Sequence, residues 1–194
     1  MKPTLIFATN NQHKAEEIHA MLNGRFEVIT LKEAGITIDI PEPYDTLEEN
    51  ADTKASTIFN LTQKSCFGED TGLEVHALNG EPGVKSARYA GDERNFKANM
   101  DKLLDKLKDI SDREARFRTV IALITYDKTY HFEGICKGRI LEAARGSGGF
   151  GYDPVFIPEG ADRSFAEMTM EEKNRYSHRA RAVRKLVDFL LNRQ

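Results

Sequence analysis

Two adjacent carboxylates and a hydroxyl, Glu69, Asp70 and Thr71, stand between Gly68 and Gly72 in an otherwise apolar stretch of the chain. Glycines at that spacing predict a turn in which the acids leave the strand and point into a cleft. Mg²⁺ is usually held by one or two carboxylates together with oxygens of a substrate phosphate. The stretch therefore indicates either a magnesium site or an ordinary polar surface turn, and other parts of the chain must decide between them.

A second group of polar residues follows the first apolar run of the chain. Residues 4–8 are typical of a buried strand, and apolar residues recur at helical spacing from Ile18 onward. Backbone N–H groups and the positive end of a helix dipole favour an anion at such a junction. The alternative is that Thr9 or Asn10 only caps the helix while Lys14 is solvated. The candidate phosphate site comprises Thr9, Asn10, Asn11, Gln12, His13 and Lys14.

Two further charged residues are candidates on local grounds that leave alternatives open. Glu42 lies between Pro41 and Pro43, on stiff backbone that suits a fixed metal ligand, although a rigid surface loop explains it at least as well. Lys54 falls in a predicted helix over residues 47–58. From that helix, the ammonium group of Lys54 could reach a phosphate. The alternative is that Lys54 lies on an ordinary solvated helix face.

Four glycines surround an aromatic residue within residues 146–151. The glycines let the main chain approach a ligand closely, and Phe150 offers a ring face for stacking on a purine. Such stacking is worth about 1 to 3 kcal/mol and does not distinguish one base from another. The alternative is a flexible loop with Phe150 buried in the core.

Basic residues also gather at the predicted start of the final helix, where His178 and Arg179 follow Ser177. Positive side chains in the first turn oppose the helix dipole, which suggests an anion or a carbonyl group nearby. A single histidine at a helix start is more often structural. Here Lys173 lies about one turn upstream of the pair of His178 and Arg179, and this grouping favours a functional cluster.

Composition limits the class of protein. The 194 residues are 40% apolar and 30% charged, which predicts one domain over residues 1–194, with or without two lobes around a cleft. A net charge of -3 argues against nucleic acid as a partner. Neither a signal peptide nor an apolar run of membrane-spanning length is evident, and the two cysteines are far apart. These features predict a soluble cytoplasmic protein without a membrane partner.

Taken in order, the motifs resemble those of the inosine triphosphate pyrophosphatase family, whose members remove non-canonical purine nucleoside triphosphates from the nucleotide pool. The resemblance implies an α/β fold with an elongated mixed β-sheet, flanking helices and two lobes around a central substrate cleft. It also implies a homodimer. The matching segments are spread over nearly the whole chain, at residues 9–14, 49–51 with 54–55, 68–73, 86–91, 148–154, and 172–174 with 177–179.

The resemblance further implies roles for the candidate residues. Residues 9–14 would bind the triphosphate, Asp70 would be the Mg²⁺ ligand and general base, and Glu42 would be a further metal-associated acid. Thr71 would contact the substrate, and Lys54 would join Lys14 and Lys173 in offsetting charge on the leaving pyrophosphate. The base and sugar would be enclosed by Phe150, Gly151, Tyr152, Asp153, Lys173, His178 and Arg179. Bacterial relatives often show Asp-Asp-Ser where this chain has residues 69–71, so the role of Glu69 stays open.

The expected reaction is attack of water at the α-phosphorus of ITP, dITP or XTP, which gives the nucleoside monophosphate and pyrophosphate. Inosine and xanthosine carry an acceptor oxygen at C6 where adenosine carries an amino group, so a pocket of donors such as Arg179 would discriminate between them. Two alternatives remain at this point. One is a pyrophosphatase for modified pyrimidine or methylated nucleotides, and the other is a nucleotide-binding regulator, which would have no need for Asp70 together with Glu42.

Overall fold

The computed structural model describes residues 4–22, 24, 26–126 and 128–192. Within this part of the chain, none of the helices is both long and apolar enough to cross a membrane. The strands of the described residues are β1 (Thr4–Phe7), β2 (Glu27–Thr30), β3 (Cys66–Val75), β4 (Pro82–Gly83), β5 (Glu114–Ile124), β6 (Thr129–Ile140) and β7 (Phe156–Pro158). The α-helices of the same residues are α1 (Gln12–Leu22), α2 (Leu47–Thr62), α3 (Phe96–Lys106), α4 (Met170–Tyr176) and α5 (His178–Leu191).

The strands form one mixed sheet in the order β2-β1-β3-β5-β6-β7, and β4 lies beside β3. β1 is parallel to both β2 and β3, whereas β4 is antiparallel to β3 and β7 is antiparallel to β6. Parallel neighbours need a crossover connection, and α1 provides it between β1 and β2 while α2 lies between β2 and β3. The predicted α/β class with a mixed sheet and flanking helices is confirmed.

The described residues fold as two compact units, each assembled from separate stretches of the chain. The first unit contains the described residues within 1–70, 119–134 and 179–194, and the second contains the described residues within 71–118 and 135–178. A single catalytic domain with a substrate cleft stays a prediction.

The core of the first unit joins the start of the described chain to its final helix. Leu5 and Phe7 of β1 belong to one buried apolar cluster with Ile18 of α1 and with Val183 and Leu186 of α5. Within this cluster the ring of Phe7 stacks on that of Phe67, with ring centroids 4.6 Å apart. The hydrophobic effect therefore stabilises α5 against a strand that lies far away in sequence.

The core of the second unit contains the other half of the sheet. Leu73 of β3, Leu103 of α3 and Phe117 of β5 are buried in one cluster with residues of β6 and β7. A Cβ atom on Gly138 would lie 2.2 Å from the carbonyl oxygen of Ile157. The backbone of β7 therefore passes too close to Gly138 for any side chain at that position.

The prediction of a turn in the acidic stretch is wrong, because residues 66–75 form the single continuous strand β3. The two glycines serve another purpose. A Cβ on Gly68 would lie 2.4 Å from the carbonyl oxygen of Ala51, and one on Gly72 would lie 2.7 Å from the carbonyl oxygen of Gly83. Each position excludes a side chain because another backbone passes there, and the strand stays extended through both.

Candidate active site

Two carboxylates of the first unit meet at one buried ammonium group. Lys54 Nζ lies 2.8 Å from Asp70 Oδ1 and is also paired with the carboxylate of Glu42. The same ammonium group donates a hydrogen bond to the backbone carbonyl oxygen of Glu69 at 3.0 Å. Asp70 is 6% exposed and Lys54 is 7% exposed. The structure thus brings together three residues that were predicted separately, namely Glu42, Lys54 and Asp70.

The position of Lys54 follows from the way α2 packs on β3. Ala51 and Ala55 are fully buried small residues, and their backbone atoms fill the space in front of Gly68. Residues one turn apart on a helix share a face, so Lys54 and Asn50 both lie beside Asp70. Asn50 Nδ2 lies 3.4 Å from Asp70 Oδ2.

Asn50 also holds the segment that precedes α2. Its Oδ1 accepts a hydrogen bond from the backbone N–H of Tyr44 at 3.1 Å, and its Nδ2 donates to the carbonyl oxygen of Tyr44 at 3.0 Å. Glu42 lies two residues before Tyr44, so one buried amide side chain fixes that segment next to Asp70. Because Asn50 is 1% exposed, these hydrogen bonds replace those that it would make with water.

Burial and neighbouring charge act in opposite directions on this group. Burial raises the pKa of Asp70, although Lys54 and Lys14 oppose the effect. Burial also disfavours the charged form of Lys54, but the carboxylates of Asp70 and Glu42 outweigh it and raise the pKa of Lys54. The ammonium group is therefore charged at neutral pH, and it holds the two acids together.

The donor set of Asp70 and Glu42 fits a divalent cation. Carboxylate oxygens are the ligands that Mg²⁺ prefers, and in this structure the charge of the two carboxylates is balanced by Lys54. Among the described residues, no group of three or more His, Cys, Asp or Glu side chains is placed to hold a metal ion. The arrangement corresponds to the use of one or two carboxylates plus substrate phosphate.

A second buried group of charges in the first unit surrounds Arg179. Its Nη2 lies 2.8 Å from Glu69 Oε1, and its Nη1 is paired with Glu17. Glu69 Oε2 also lies 3.4 Å from Lys14 Nζ, and the hydroxyl of Thr119 lies 3.5 Å from Oε1. Burial opposes the guanidinium charge, but the two carboxylates outweigh it and raise the pKa of Arg179. Glu69 therefore links the acidic strand to Lys14 and to α5.

The predicted strand-to-helix junction is confirmed, because residues 9–14 run from just after β1 into the first turn of α1. Asn11 Oδ1 accepts a hydrogen bond from the backbone N–H of Lys14 at 3.2 Å, and Thr9 Oγ1 accepts one from the N–H of Asn11 at 3.1 Å. The capping side chain is therefore Asn11, and the alternative that placed the cap at Thr9 or Asn10 is wrong. Gln12 and His13 are exposed.

Lys14 differs from the exposed residues of this junction. Its side chain is 16% exposed, and burial lowers its pKa while Glu69 acts in the opposite direction. An ammonium group that has already lost much of its water gains more from a nearby anion than a fully solvated one does. Lys14 is thus suited to bind an anionic group beside α1.

In the second unit, one carboxylate fixes the glycine-rich loop. Asp153 Oδ2 accepts a hydrogen bond from the backbone N–H of Phe150 at 2.9 Å and another from Lys173 Nζ at 2.6 Å. Gly149 and Gly151 have φ angles of +67° and +62°, in the left-handed region that favours glycine. A Cβ on Gly149 would lie 2.1 Å from Asp153 Oδ2. Phe150 is half-buried and not enclosed in the core.

Other predicted binding residues of the second unit make packing contacts. Tyr152 is 4% exposed, and its hydroxyl donates to the carbonyl oxygen of Ser86 at 2.8 Å. The ring of His178 stacks on Phe117, with centroids 4.6 Å apart and an interplanar angle of 17°. Thr71 is half-buried in β3. The substrate contacts of Thr71, Tyr152 and His178 stay predictions.

Sequence reasoning did not assign Asn50 or Glu17 to the site, although both are buried polar residues beside predicted ones. Asn50 lies one turn before Lys54, and that spacing is a usable signal. Glu17 adjoins the buried Ile18 on the apolar face of α1, where an acid requires a buried partner. The sequence does not say which basic residue that partner is.

The comparisons with known proteins place this mixed α/β chain in a family. A model of the Ham1 family matches residues 5–189, and the chain belongs to that family. A dITP/XTP pyrophosphatase of Porphyromonas gingivalis is 55% identical over 96% of this chain and 97% of its own. A dITP/XTP pyrophosphatase of Christiangramia forsetii is 50% identical over 96% of this chain and 98% of its own. The structure of the Staphylococcus aureus Ham1 protein is 38% identical with a TM-score of 0.89, covering 98% of this chain and 100% of that one.

These matches confirm the family that the ordered motifs predicted. The matched residues include both the charged groups of the first unit and the glycine-rich loop of the second. The residue roles implied by the resemblance stay predictions, and the geometry above shows which side chains the fold brings together.

The substitution Arg179→Met should destabilise the protein by about 3 to 5 kcal/mol, because it leaves Glu17 and Glu69 as buried carboxylates without their shared cation. Urea unfolding followed by circular dichroism measures the change. Arg175→Met is the matched control, since Arg175 pairs with Glu171 on an exposed helix face and should cost about 0.5 kcal/mol or less. Equal losses in the two variants would contradict a special role for the buried group.

Proposed function

We propose that this protein hydrolyses the non-canonical purine nucleoside triphosphates ITP, dITP and XTP at the α-phosphorus. The products are the nucleoside monophosphate and pyrophosphate, and the reaction keeps these nucleotides out of DNA and RNA. The observation that carries the proposal is the buried group of Asp70, Glu42 and Lys54. Two relatives at 55% and 50% identity are both named dITP/XTP pyrophosphatase, which supports the choice of substrate class.

The phosphate chain is assigned to the first unit. Lys14 and Lys54 lie in settings where burial has removed much of their water. Burial lowers the pKa of Lys14, whereas nearby carboxylates raise that of Lys54. A bound phosphate would favour the charged form of both side chains. The start of α1 adds backbone N–H groups and the positive end of its dipole. Two fixed cations and a helix terminus stabilise charge that develops on a leaving pyrophosphate, and they need little rearrangement during the reaction.

Asp70 is assigned as the general base that accepts a proton from the attacking water. Lys54 holds its Oδ1 at 2.8 Å, and Asn50 approaches its Oδ2 at 3.4 Å, so the carboxylate has a fixed orientation. Burial raises the pKa of Asp70, which makes the ionised carboxylate a stronger proton acceptor than it would be in water.

Asp70 and Glu42 would hold Mg²⁺ together with oxygens of the substrate phosphates. When bound, the ion supplies neutralisation of phosphate charge and a lower pKa for a bound water. Lys54 keeps the two acids close before any ligand arrives, so the donor set is formed in advance. Asn50 contributes by fixing the backbone next to Glu42.

Base recognition is assigned to the second unit and the start of α5. Phe150 is half-buried on a loop whose backbone is fixed by Asp153, as a stacking platform requires. Donors that meet the C6 oxygen of inosine or xanthosine would leave the amino group of adenosine unpaired. The donors included in the proposal are Lys173, His178, Arg179 and backbone N–H groups of the loop.

The family resemblance also supports a homodimer in the cytoplasm, where the nucleotide pool is used for synthesis. Light scattering coupled to size-exclusion chromatography would give the mass of the particle in solution. A mass near twice the 21.9 kDa of one chain supports the dimer, and a mass of one chain contradicts it.

We predict that the protein releases pyrophosphate rapidly from ITP, dITP and XTP in the presence of Mg²⁺, while ATP, GTP and pyrimidine triphosphates react far more slowly. Mass spectrometry of the nucleotide product should show the monophosphate. Removal of Mg²⁺ with EDTA should abolish turnover, and added Mg²⁺ should restore it. Release of single phosphates would contradict attack at the α-phosphorus, and a preference for pyrimidine or methylated nucleotides would contradict the assigned substrate class.

The substitution Asp70→Asn should lower kcat by about 10²- to 10⁴-fold, because the amide cannot accept the proton from water. Calorimetry should show that the variant still binds ITP. Asp52→Asn is the matched control, because Asp52 is an exposed acid of α2 that pairs with His131, and its loss should leave kcat unchanged. An unaltered kcat in Asp70→Asn would exclude Asp70 as the base.

The substitution Gly68→Ala should reduce activity, because its Cβ meets the backbone of α2 and moves Lys54 away from Asp70. We expect a loss of about 1 to 3 kcal/mol in stability and at least a tenfold loss in kcat/KM. Gly160→Ala is the control: nothing lies within 4 Å of its Cβ, and its φ of +85° gives strain of about 1 to 2 kcal/mol. That variant should lose stability but keep its activity, and equal activities in both variants would contradict the argument.

A further inference from the structure

Phe96 is a large apolar residue at a position where the fold does not require one. It is the first residue of α3 and is 37% exposed. The helix start is already capped, since the side chain of Asn95 accepts a hydrogen bond from the backbone N–H of Ala98 at 3.0 Å. Phenylalanine has a lower helix propensity than alanine, and an acidic residue would suit the dipole better at this position. Helix formation therefore does not explain the ring.

Core packing does not explain the ring either. The buried cluster of the second unit receives Leu103 and Leu107 from α3, with Met100 and Leu104 packed against it. Among the described residues that form this cluster or pack against it, Phe96 is absent. An exposed aromatic ring outside the core indicates a contact with another surface residue or with a ligand.

The ring of Phe96 contacts the ring of Phe150. Their centroids are 6.0 Å apart and the planes are tilted by 49°, within the range of favourable aromatic pairs. Lys173 Nζ lies 5.2 Å from the centroid of the same Phe150 ring. Phe150 is thus flanked by one aromatic side chain and one ammonium group, and all three residues belong to the second unit.

The loop fixes the backbone of Phe150, and the orientation of its ring depends on neighbours that include Phe96 and Lys173. Asp153 accepts the hydrogen bond from the Phe150 N–H, and Gly149 and Gly151 carry no side chains that would restrict the ring. Phe150 also lies outside the described apolar cluster of the second unit. Removal of the Phe96 ring would therefore allow Phe150 more rotamers, and a stacked base would have to select one of them.

We propose that Phe96 is a positioning residue for base binding, which acts by holding the ring of Phe150 in its stacking orientation. The proposal rests on the proposed function and adds a residue to its base site. A stacking platform binds substrate and transition state alike, so its disorder raises KM and leaves kcat unchanged. Because stacking does not distinguish purines, the KM values for ITP and XTP should rise by the same factor.

A double-mutant cycle tests the proposal with four proteins: wild type, Phe96→Ala, Phe150→Ala and the double variant. We expect Phe96→Ala to raise KM for ITP about threefold to tenfold, with kcat unchanged. In the Phe150→Ala background, the same change should have no further effect, because the ring that Phe96 positions is gone. Tyr126→Ala removes an aromatic ring that is 79% exposed and packs on Phe59 of the first unit, and it should leave KM unchanged.

Several outcomes would overturn the proposal. An unchanged KM in Phe96→Ala, or an equal rise in both backgrounds, would show that Phe96 does not act through Phe150. Phe96→Leu should recover most of the KM, since an apolar side chain of similar size still supports the ring, and a loss equal to that of alanine would contradict support by apolar bulk. Melting temperatures of all variants identify any that fail to fold.

The outcomes also separate this inference from the proposed function. Turnover of ITP by the wild type with an unchanged KM in Phe96→Ala would overturn only the inference. An absence of turnover with any purine triphosphate would overturn the proposed function and, with it, this use of Phe96.

Discussion

The direct contact between the backbone of α2 and β3 at Gly68 sets the geometry of the charged site. The carbonyl oxygen of Ala51 and the amide nitrogen of Ala55 fill the space that any side chain at position 68 would need. This contact leaves Lys54 and Asn50 beside Asp70, and Asn50 in turn fixes the segment that carries Glu42. One missing side chain thus determines the positions of four functional groups.

Among the described residues, three buried acids each receive more than one donor. Asp70 is held by Lys54 and Asn50, Glu69 by Arg179 and Lys14, and Asp153 by Lys173 and a backbone N–H. A buried carboxylate without partners would be strongly destabilising, so these contacts are needed for folding. In the proposed reaction, the same contacts would fix the directions of the acids and lysines before substrate binds and so reduce the rearrangement required.

Local patterns predicted the elements and much of the site. The strand, the polar junction and the helix of residues 4–22 follow from the spacing of apolar residues. Two kinds of feature were not predicted from the sequence. Gly68 was taken as a sign of a turn, because the sequence does not show which backbone will pass close to it. The pairing of Glu17 with Arg179 spans 162 residues, and no local spacing carries that information.

The separation of 162 residues between Glu17 and Arg179 affects the order in which parts of the chain fold. The apolar cluster that buries Leu5 and Phe7 is completed by Val183 and Leu186, and the carboxylates of Glu17 and Glu69 have their guanidinium partner only when Arg179 is in place. During synthesis the first unit must therefore wait for α5, whereas residues 71–178 already include everything that the second unit uses. Contacts of such high sequence separation slow folding and lengthen the time for which a nascent β1 exposes apolar surface to chaperones or to aggregation.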